Sequence, residues 1–144
     1  MKMNECNLCR ELLEMENVVV VGKHSFVLVN LRAIKDGHIM VLPIRHVEEY
    51  TELTEQESKE MFGFVEKMSH ILHKEYGNPS LTVINPVHRR SERHVHIHLI
   101  PSKYGAREYI SMVENVPANA EVAAHVRKEI RDRLQRALGI TGKI

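Results

Sequence analysis

The sequence lacks three features that would place it at once in a broad class of proteins. Its 20 Lys and Arg residues against 19 Asp and Glu residues give a formal charge of +1, so no overall field attracts nucleic acid or an anionic membrane. The longest apolar run near the start is only Val18–Val21, so we expect neither a secretory signal nor a membrane span. Only two cysteines occur, Cys6 and Cys9, which excludes a multi-disulfide secreted scaffold and favours a reducing cytoplasm.

The composition indicates a folded protein with one hydrophobic core. The chain has 144 residues, of which 43% are hydrophobic and 27% charged, and these values argue against disorder and coiled coil. This length fits a single domain over residues 1–144. The unusual count is histidine, which occurs 10 times, so the imidazoles are the first candidates for functional side chains.

Apolar periodicity predicts an α+β domain. Thr54 with Glu57 forms a capping box at the start of the longest helix, and Gly77 ends it. Another glycine, in the pair Asp36-Gly37, ends a loop where positive φ is tolerated. The order of elements predicts a largely antiparallel sheet with a central helix and a C-terminal helix on one side. The predicted helices span residues 7–17, 54–76 and 119–138, and the predicted strands span residues 18–21, 25–30, 38–42, 81–85 and 94–100.

Three histidines, His94, His96 and His98, alternate with aliphatic residues in the last predicted strand. Because side chains of a strand alternate between its faces, the three imidazoles are expected on one face. Same-face neighbours lie roughly 6 to 7 Å apart at Cα, too far for three in a row to close comfortably around one metal ion. Neutral imidazoles can instead attack phosphorus or donate to phosphate oxygens. The alternative without function is a half-buried strand whose polar face carries histidines.

The pair Cys6 and Cys9 has the spacing of two metal ligands. Tetrahedral zinc needs four ligands, and since the chain has no other cysteine, histidines must complete such a site. Redox chemistry is less favoured, because that use of the motif normally follows a strand in a βαβ unit. Thiols without a function are a further alternative.

Further polar residues stand at the ends of predicted strands. His38 and His46 flank one strand, Asn30 and Asn85 close two others and could bind a ligand, and Ser91 could contact phosphate. Taken singly, each of these residues is also common in a core, a turn or a solvated loop without a function. The basic residues beside Ser91, which could also hold phosphate oxygens, are His88, Arg89, Arg90 and Arg93.

These motifs together resemble the histidine triad family of nucleotide hydrolases and transferases. Residues 94–101 match the alternating histidine and apolar motif, Gly37-His38 precedes an apolar strand, and residues 43–46 follow it. Cys6 and Cys9 resemble the zinc-bearing microbial branch. The resemblance covers roughly residues 6–101 and implies a histidine triad-like fold, a nucleotide substrate and commonly a homodimer.

The resemblance also implies roles for individual residues. His96 is expected to attack an α-phosphate, and His98 is expected to contact phosphate. His38 belongs to the hydrogen-bonded catalytic site, and Asn30 occupies the place of the residue that holds the ribose. A purine nucleotide is the expected substrate by resemblance alone.

For the zinc-bearing branch, the resemblance implies one structural zinc held by Cys6, Cys9, His46 and His94. This assignment agrees with the need for histidines beside the two thiols.

The sequence departs from the family at Arg89-Arg90-Ser91, where glycine-glutamine-serine is usual. It is also similar to the diadenosine tetraphosphate phosphorylase branch, which commonly has glutamine in the position of His98. We therefore expect hydrolysis of a nucleoside phosphoramidate or dinucleoside polyphosphate through a nucleotidyl-histidine intermediate, ahead of phosphorolysis or nucleotidyl transfer. Alternatives of other classes are a non-catalytic, zinc-stabilised interaction module and a metallohydrolase whose triad binds a catalytic metal.

Overall fold

The computed structural model describes residues 5–140, and the boundary between its two compact units lies between Gly105 and Ala106. The α+β class is confirmed, while the single domain over residues 1–144 stays a prediction. The second unit contains α3 (Ala106–Glu114) and α4 (Ala124–Ala137). The elements of the first unit are α1 (Asn7–Glu14), β1 (Val18–Val21), β2 (Ser25–Val29), β3 (Ile39–Pro43), α2 (Glu55–Tyr76), β4 (Ser80–Val83) and β5 (Ile97–Pro101), with short 3-10 turns at Tyr50–Glu52 and Val87–Arg89.

The five strands form one antiparallel sheet in the order β1-β2-β3-β5-β4. The central strand β3 is buried along its whole length, as its run of apolar residues requires. It pairs with β5 in a register that sets Met40 opposite His98 and Ile39 opposite Leu99. This pairing brings the residues before β3 close to the histidine-bearing strand.

Each face of the sheet carries its own hydrophobic cluster. On one face, Met61, Met68 and Leu72 of α2 pack against Val41 and other residues of the central strands. On the opposite face, the cluster consists of Cys6, Leu8, Cys9, Phe26, Leu28, Met40 and Leu42. The apolar residues of α1 therefore face the side of the sheet opposite α2.

The long helix α2 begins and ends as predicted. Thr54 is the N-cap, and its side chain accepts from the backbone N–H of Glu57 while the Glu57 carboxylate accepts from Thr54 N. Gly77 ends the helix with φ at 77°. Glu57 also forms an ion pair with Arg45, at 2.9 Å. No helix within residues 5–140 has both the length and the apolar character needed to cross a membrane.

Two predicted helix boundaries are wrong, and one helix was not predicted. The first helix ends at Glu14 rather than residue 17, because Met15 adopts a left-handed backbone with φ at 62°. The last helix begins at Ala124 rather than residue 119, since the preceding Ala123 has a non-helical backbone with ψ at 144°. The helix α3 was not predicted, because its nine residues span under three turns and give a weak periodic signal.

The predicted strand over residues 94–100 is also wrong at its start. Residues 91–94 form a bend and β5 begins at Ile97, so His98 is the one triad histidine on that strand. His94 and His96 lie in the approach to β5, where Val95 N donates to Val47 O at 2.7 Å. The three imidazoles are therefore not held on one face by a common strand, and each has partners of its own.

Gly37 occupies a position in which only glycine fits. Its φ is 83°, in the left-handed region, as the Asp36-Gly37 pair predicts. A Cβ atom here would lie 2.8 Å from the ring of Tyr76 and 2.9 Å from Pro101 Cγ. The close approach of β3, α2 and β5 beside His38 thus depends on the missing side chain.

We expect Gly37→Ala to lower the free energy of unfolding by about 2–3 kcal/mol, because it combines backbone strain with steric overlap. The matched control is Gly63→Ala in α2, where an added Cβ has nothing within 4 Å. This control should leave stability unchanged or raise it by up to ~1 kcal/mol. Urea denaturation of both variants measures the difference, and equal effects would show that Gly37 is not constrained in this way.

Candidate functional site

Two thiols and two imidazoles meet where α1, the end of β3 and the approach to β5 come together. Their four ligand atoms all lie within 4.8 Å of one another. His94 Nδ1 is 3.5 Å from Cys6 Sγ and 3.3 Å from Cys9 Sγ, and His46 Nδ1 is 3.4 Å from Cys9 Sγ. Ligands about 2.2 Å from a tetrahedral ion stand ~3.5 Å apart. The four predicted ligands are thus brought together and could bind a metal ion.

Local structure places the two cysteines side by side. Cys6 is the N-cap of α1, and its Sγ accepts from Cys9 N at 3.4 Å. One helical turn separates the two residues, which directs both thiols to the same side. His46 follows β3, and His94 precedes β5, so neighbouring strands deliver the imidazoles.

The protonation states of the thiols and of His94 bear on metal binding in this cluster. Burial, reinforced by the neighbouring Cys6, raises the pKa of Cys9 to about 12 when no metal charge is present. A bound metal ion reverses this effect by stabilising the thiolate. Burial also lowers the pKa of His94 to about 4, and its Nε2–H donates to Pro43 O at 2.9 Å. The Nδ1 lone pair of a neutral His94 therefore faces the thiols, as metal ligation requires.

His96 is held as a neutral imidazole with a free nitrogen. Its Nδ1 lies 2.7 Å from the backbone oxygen of His94, and because a carbonyl only accepts, Nδ1 carries the proton. Nε2 therefore has the lone pair. Only 6% of the residue is exposed, and this burial lowers the pKa of His96. These conditions are those of an imidazole nucleophile at neutral pH.

A chain of hydrogen bonds fixes the opposite tautomer in His98. The backbone N–H of Ile34 donates to His38 Nδ1 at 3.3 Å, so the proton of His38 is on Nε2. This Nε2 lies 2.8 Å from His98 Nδ1 and 3.3 Å from Asn30 Nδ2, and since an amide nitrogen does not accept, the Nε2–H donates to His98 Nδ1, which leaves the proton of His98 on Nε2. Burial, and then His96 and His38, lower the pKa of His98 to about 4. His98 therefore offers a neutral N–H donor.

A cavity of about 430 Å³ brings the predicted substrate residues together. His96, His98, Asn30, Asn85 and Ser91 all line it. This volume lies in the range of small-molecule sites. Within the cavity, the rings of His96 and His98 are 4.7 Å apart and meet edge to face.

His38, predicted as a catalytic residue, does not line the cavity. It is only 4% exposed and lies behind His98, whose Nδ1 it contacts. Its backbone oxygen also accepts from Asn30 N at 3.1 Å. The geometry therefore assigns His38 to the positioning of His98 and Asn30.

Only some of the basic residues of the predicted phosphate loop line the cavity. Arg89 and Arg90 line the cavity, whereas Arg93 lies at the surface and pairs with Glu48 at 3.1 Å. His88 is exposed and is not among the lining residues of the cavity. Only part of the loop is therefore placed to contact a ligand.

The sequence prediction missed the contribution of α1 to the cavity. Asn7, Arg10, Glu11 and Glu14 of this helix line one side of it. Their spacing of three, four and seven residues puts them on one helical face, so the signal was present in the sequence.

Comparison with known proteins assigns the first unit to a described family. The sequence pattern of the HIT domain matches residues 13–105. Over 108 residues the chain is 30% identical to AP-4-A phosphorylase of Mycobacterium tuberculosis, a match that covers 72% of this chain and 55% of the relative. Over 84 residues it is 33% identical to bifunctional bis(5'-adenosyl)-triphosphatase/adenylylsulfatase FHIT of Arabidopsis thaliana, with coverage of 56% and 47%. The chain thus spans about half the length of these curated relatives.

A solved structure supports the assignment of the fold. The crystal structure of a HIT family member from Bacillus subtilis superposes with a TM-score of 0.71, covering 97% of this chain and 99% of that one. The sequence identity is 18%, so this likeness concerns the fold alone.

We expect NMR of the ring nitrogens to show His98 protonated at Nε2 and neutral down to about pH 4, for the reasons of burial and hydrogen bonding given above. His38→Ala removes the donor to His98 Nδ1 and should abolish this tautomer preference. The pKa of His98 is about 4 in the folded protein and about 6.5 in the unfolded chain. The unfolded chain therefore binds a proton at a higher pH than the folded protein does. Protonation of the unfolded chain consequently lowers the free energy of unfolding as pH falls from about 6.5 to 4. Titration of His98 near 6.5 would contradict the assignment.

Proposed function

The chain belongs to the HIT domain family, and from this membership we propose that it cleaves a nucleotide at its α-phosphate through a nucleotidyl-histidine intermediate. The substrate class is a nucleoside phosphoramidate or a dinucleoside polyphosphate. The leading reaction is hydrolysis, with His96 as the nucleophile.

The observation that carries the proposal is the complementary protonation of two adjacent imidazoles in one cavity. The His94 carbonyl holds the proton of His96 on Nδ1, and the His38 side chain holds that of His98 on Nε2. One ring therefore supplies a lone pair and its neighbour an N–H donor. A half-buried strand with chance histidines has no reason to combine these two tautomers.

In the first step, His96 Nε2 attacks the α-phosphorus and forms an N–P bond, while the bond from phosphorus to the leaving group breaks. The imidazole becomes cationic, and the His94 carbonyl accepting from Nδ1–H stabilises that charge. A phosphate leaving group departs as an anion, and an amine leaves after taking a proton from solvent. In the second step, water attacks phosphorus, the N–P bond breaks, and nucleoside monophosphate and a proton are released.

The other lining residues orient the substrate. His98 Nε2–H donates to a phosphate oxygen, where charge develops as the bond to the leaving group breaks. Ser91 supplies a hydroxyl for the same phosphate. Asn30 and Asn85 bind the ribose and other polar groups, and Asn30 is preorganised because its Oδ1 accepts from Arg32 N at 2.8 Å.

A second candidate reaction uses the same intermediate with a different acceptor. Inorganic phosphate, in place of water, would attack the nucleotidyl-histidine and make the reaction a phosphorolysis. The similarity to a protein named AP-4-A phosphorylase supports this candidate, and the similarity to a named triphosphatase supports hydrolysis.

The metal proposed for the Cys6, Cys9, His46 and His94 cluster is zinc. Two thiols and two imidazoles form a donor set that zinc prefers, and four protein ligands leave no open position. Zinc there would supply positive charge and join α1 to the approach to β5, without contact with substrate.

The unpaired state of the two buried thiols supports a reducing cytoplasm, and the family resemblance supports a homodimer and a purine base.

We expect metal analysis of protein purified without added metal to find about one zinc per chain. Cys9→Ala should lose the zinc and lower the melting temperature by about 10 °C or more, because the metal stabilises only the folded state. His70→Ala, which removes an exposed imidazole of α2, should keep both unchanged. A zinc-free protein with full stability would refute this site.

We expect His96→Ala to lower turnover of diadenosine triphosphate by several orders of magnitude while nucleotide binding persists, because the covalent step is lost. His98→Ala should cost about 10²–10³-fold, the usual effect of losing one stabilising donor. Mass spectrometry after a quench that avoids acid should find a nucleoside monophosphate on His96. An active His96→Ala variant, or the nucleotide on another residue, would contradict the mechanism.

The same assays separate the alternative functions. A non-catalytic interaction module would turn over nothing, and a metallohydrolase would stop as soon as a chelator is added to the folded protein. Added inorganic phosphate would change the product from AMP to ADP if phosphorolysis prevails.

A further inference from the structure

The cavity that contains His96 extends across three neighbouring strands of the sheet. His98 on β5 lies opposite Met40 on β3, and Met40 lies opposite Leu28 on β2. All three of these residues line the cavity. Since neighbouring strands are roughly 4.8 Å apart, Leu28 lies about 10 Å from His98 across the sheet. The cavity therefore reaches well beyond the imidazoles that are proposed to serve the phosphate.

The end of the cavity at β2 is apolar. Leu8 of α1 belongs to the same hydrophobic cluster as Leu28, and both buried side chains line the cavity. Asn30, the residue proposed to bind the ribose, follows β2 directly. A nucleotide with its phosphate at His98 and its ribose at Asn30 therefore places its base against this apolar surface. Such a surface suits the flat face of an aromatic ring.

One carboxylate stands at this apolar end. Glu11 lines the cavity and follows Leu8 by three positions in α1, so the two side chains lie on the same side of the helix. Its Oε2 accepts from Asn17 Nδ2 at 2.9 Å, and Asn17 O accepts from Val29 N at 2.9 Å. Asn17 thus holds the carboxylate beside the end of β2. The contact uses Oε2 alone and leaves Oε1 for another donor.

Guanine is the base whose edge matches a carboxylate. Its N1–H and its N2 amino group are adjacent donors, so one carboxylate accepts from both in a bidentate pair. Adenine and cytosine each have a ring nitrogen with a lone pair beside the amino group, and this lone pair repels a carboxylate oxygen. Uracil flanks its one N–H with two carbonyl oxygens, which have the same effect. A carboxylate offers about four lone-pair sites, so the contact with Asn17 leaves Glu11 able to accept both guanine donors.

We propose that Glu11 binds the N1 and N2 edge of guanine and so makes the site prefer guanosine nucleotides over adenosine nucleotides. The inference rests on the proposed function and deepens it by naming the base. Guanine gives the Glu11 carboxylate two donors, whereas adenine sets a lone pair against it. A site built to pair with two donors loses affinity when the ligand lacks one of them.

Calorimetry with wild-type protein and nucleoside monophosphates tests this preference without turnover. GMP should bind at least ~10-fold more tightly than AMP. Inosine monophosphate, which keeps N1–H but lacks the N2 amino group, should bind with an affinity between those two. Equal affinities for GMP and AMP, or tighter binding of AMP, would overturn the proposal.

A variant of Glu11 assigns the preference to its carboxylate. Glu11→Gln replaces one acceptor oxygen with an amide donor, which suits the paired acceptor and donor of adenine, so the ratio of GMP to AMP affinity should fall by about 10-fold. The matched control is Glu16→Gln, which removes the same charge from an exposed residue that does not line the cavity. This control should change the ratio by less than ~2-fold. An unchanged ratio in Glu11→Gln would contradict the role of this residue.

Turnover gives a second measurement of the same preference. The kcat/KM of wild-type protein should be about 10-fold higher for guanosine 5′-phosphoramidate than for adenosine 5′-phosphoramidate. The ratio of the two values is insensitive to partial misfolding, because both substrates meet the same active fraction. Equal values would overturn the proposal for Glu11 and leave the nucleotidyl-histidine mechanism intact. If neither compound is cleaved, the proposed function fails, and the ratio of GMP to AMP affinity still decides the role of Glu11.

Discussion

The fixed position of His94 is the constraint on which both the metal cluster and the catalytic cavity depend. The residue is fully buried and makes three different contacts. Its Nε2–H donates to Pro43 O at the end of β3, its Nδ1 faces the thiols, and its backbone oxygen accepts from His96 Nδ1. A ligand cluster that touches no substrate therefore sets the position and the protonation of the proposed nucleophile, through a single peptide unit.

The second requirement of the site is that its imidazoles stay neutral. Burial lowers the pKa of His38, His96 and His98, because a charged ring loses its hydration inside the protein. Backbone groups decide which nitrogen keeps the proton in His38 and His96, and the His38 side chain then decides it for His98.

Local structural features were predictable from the sequence where residues adjacent along the chain decide the structure. The bounds of β1, the capping box at Thr54, the positive φ of Gly37 and the end of α2 at Gly77 follow from such short-range chemistry. The start of β5 was not predictable from the sequence. The alternation over residues 94–98 has the period of a strand, but the backbone before Ile97 makes other contacts than those of the sheet. Spacing shows which side chains share a direction, but not which backbone groups are paired.

The sequence by itself determined the residue types of the site and the pairs that lie close along the chain, such as Cys6 with Cys9 and His96 with His98. Only the tertiary structure decided that His94 meets Cys6 across 88 positions, and that His46 meets Cys9 across 37. The same holds for the tautomer of His98, which depends on His38, just before the neighbouring strand β3, and for the burial of Arg90 against Glu48. These contacts follow from strand order and register, and they form only when the sheet closes β3 against β5.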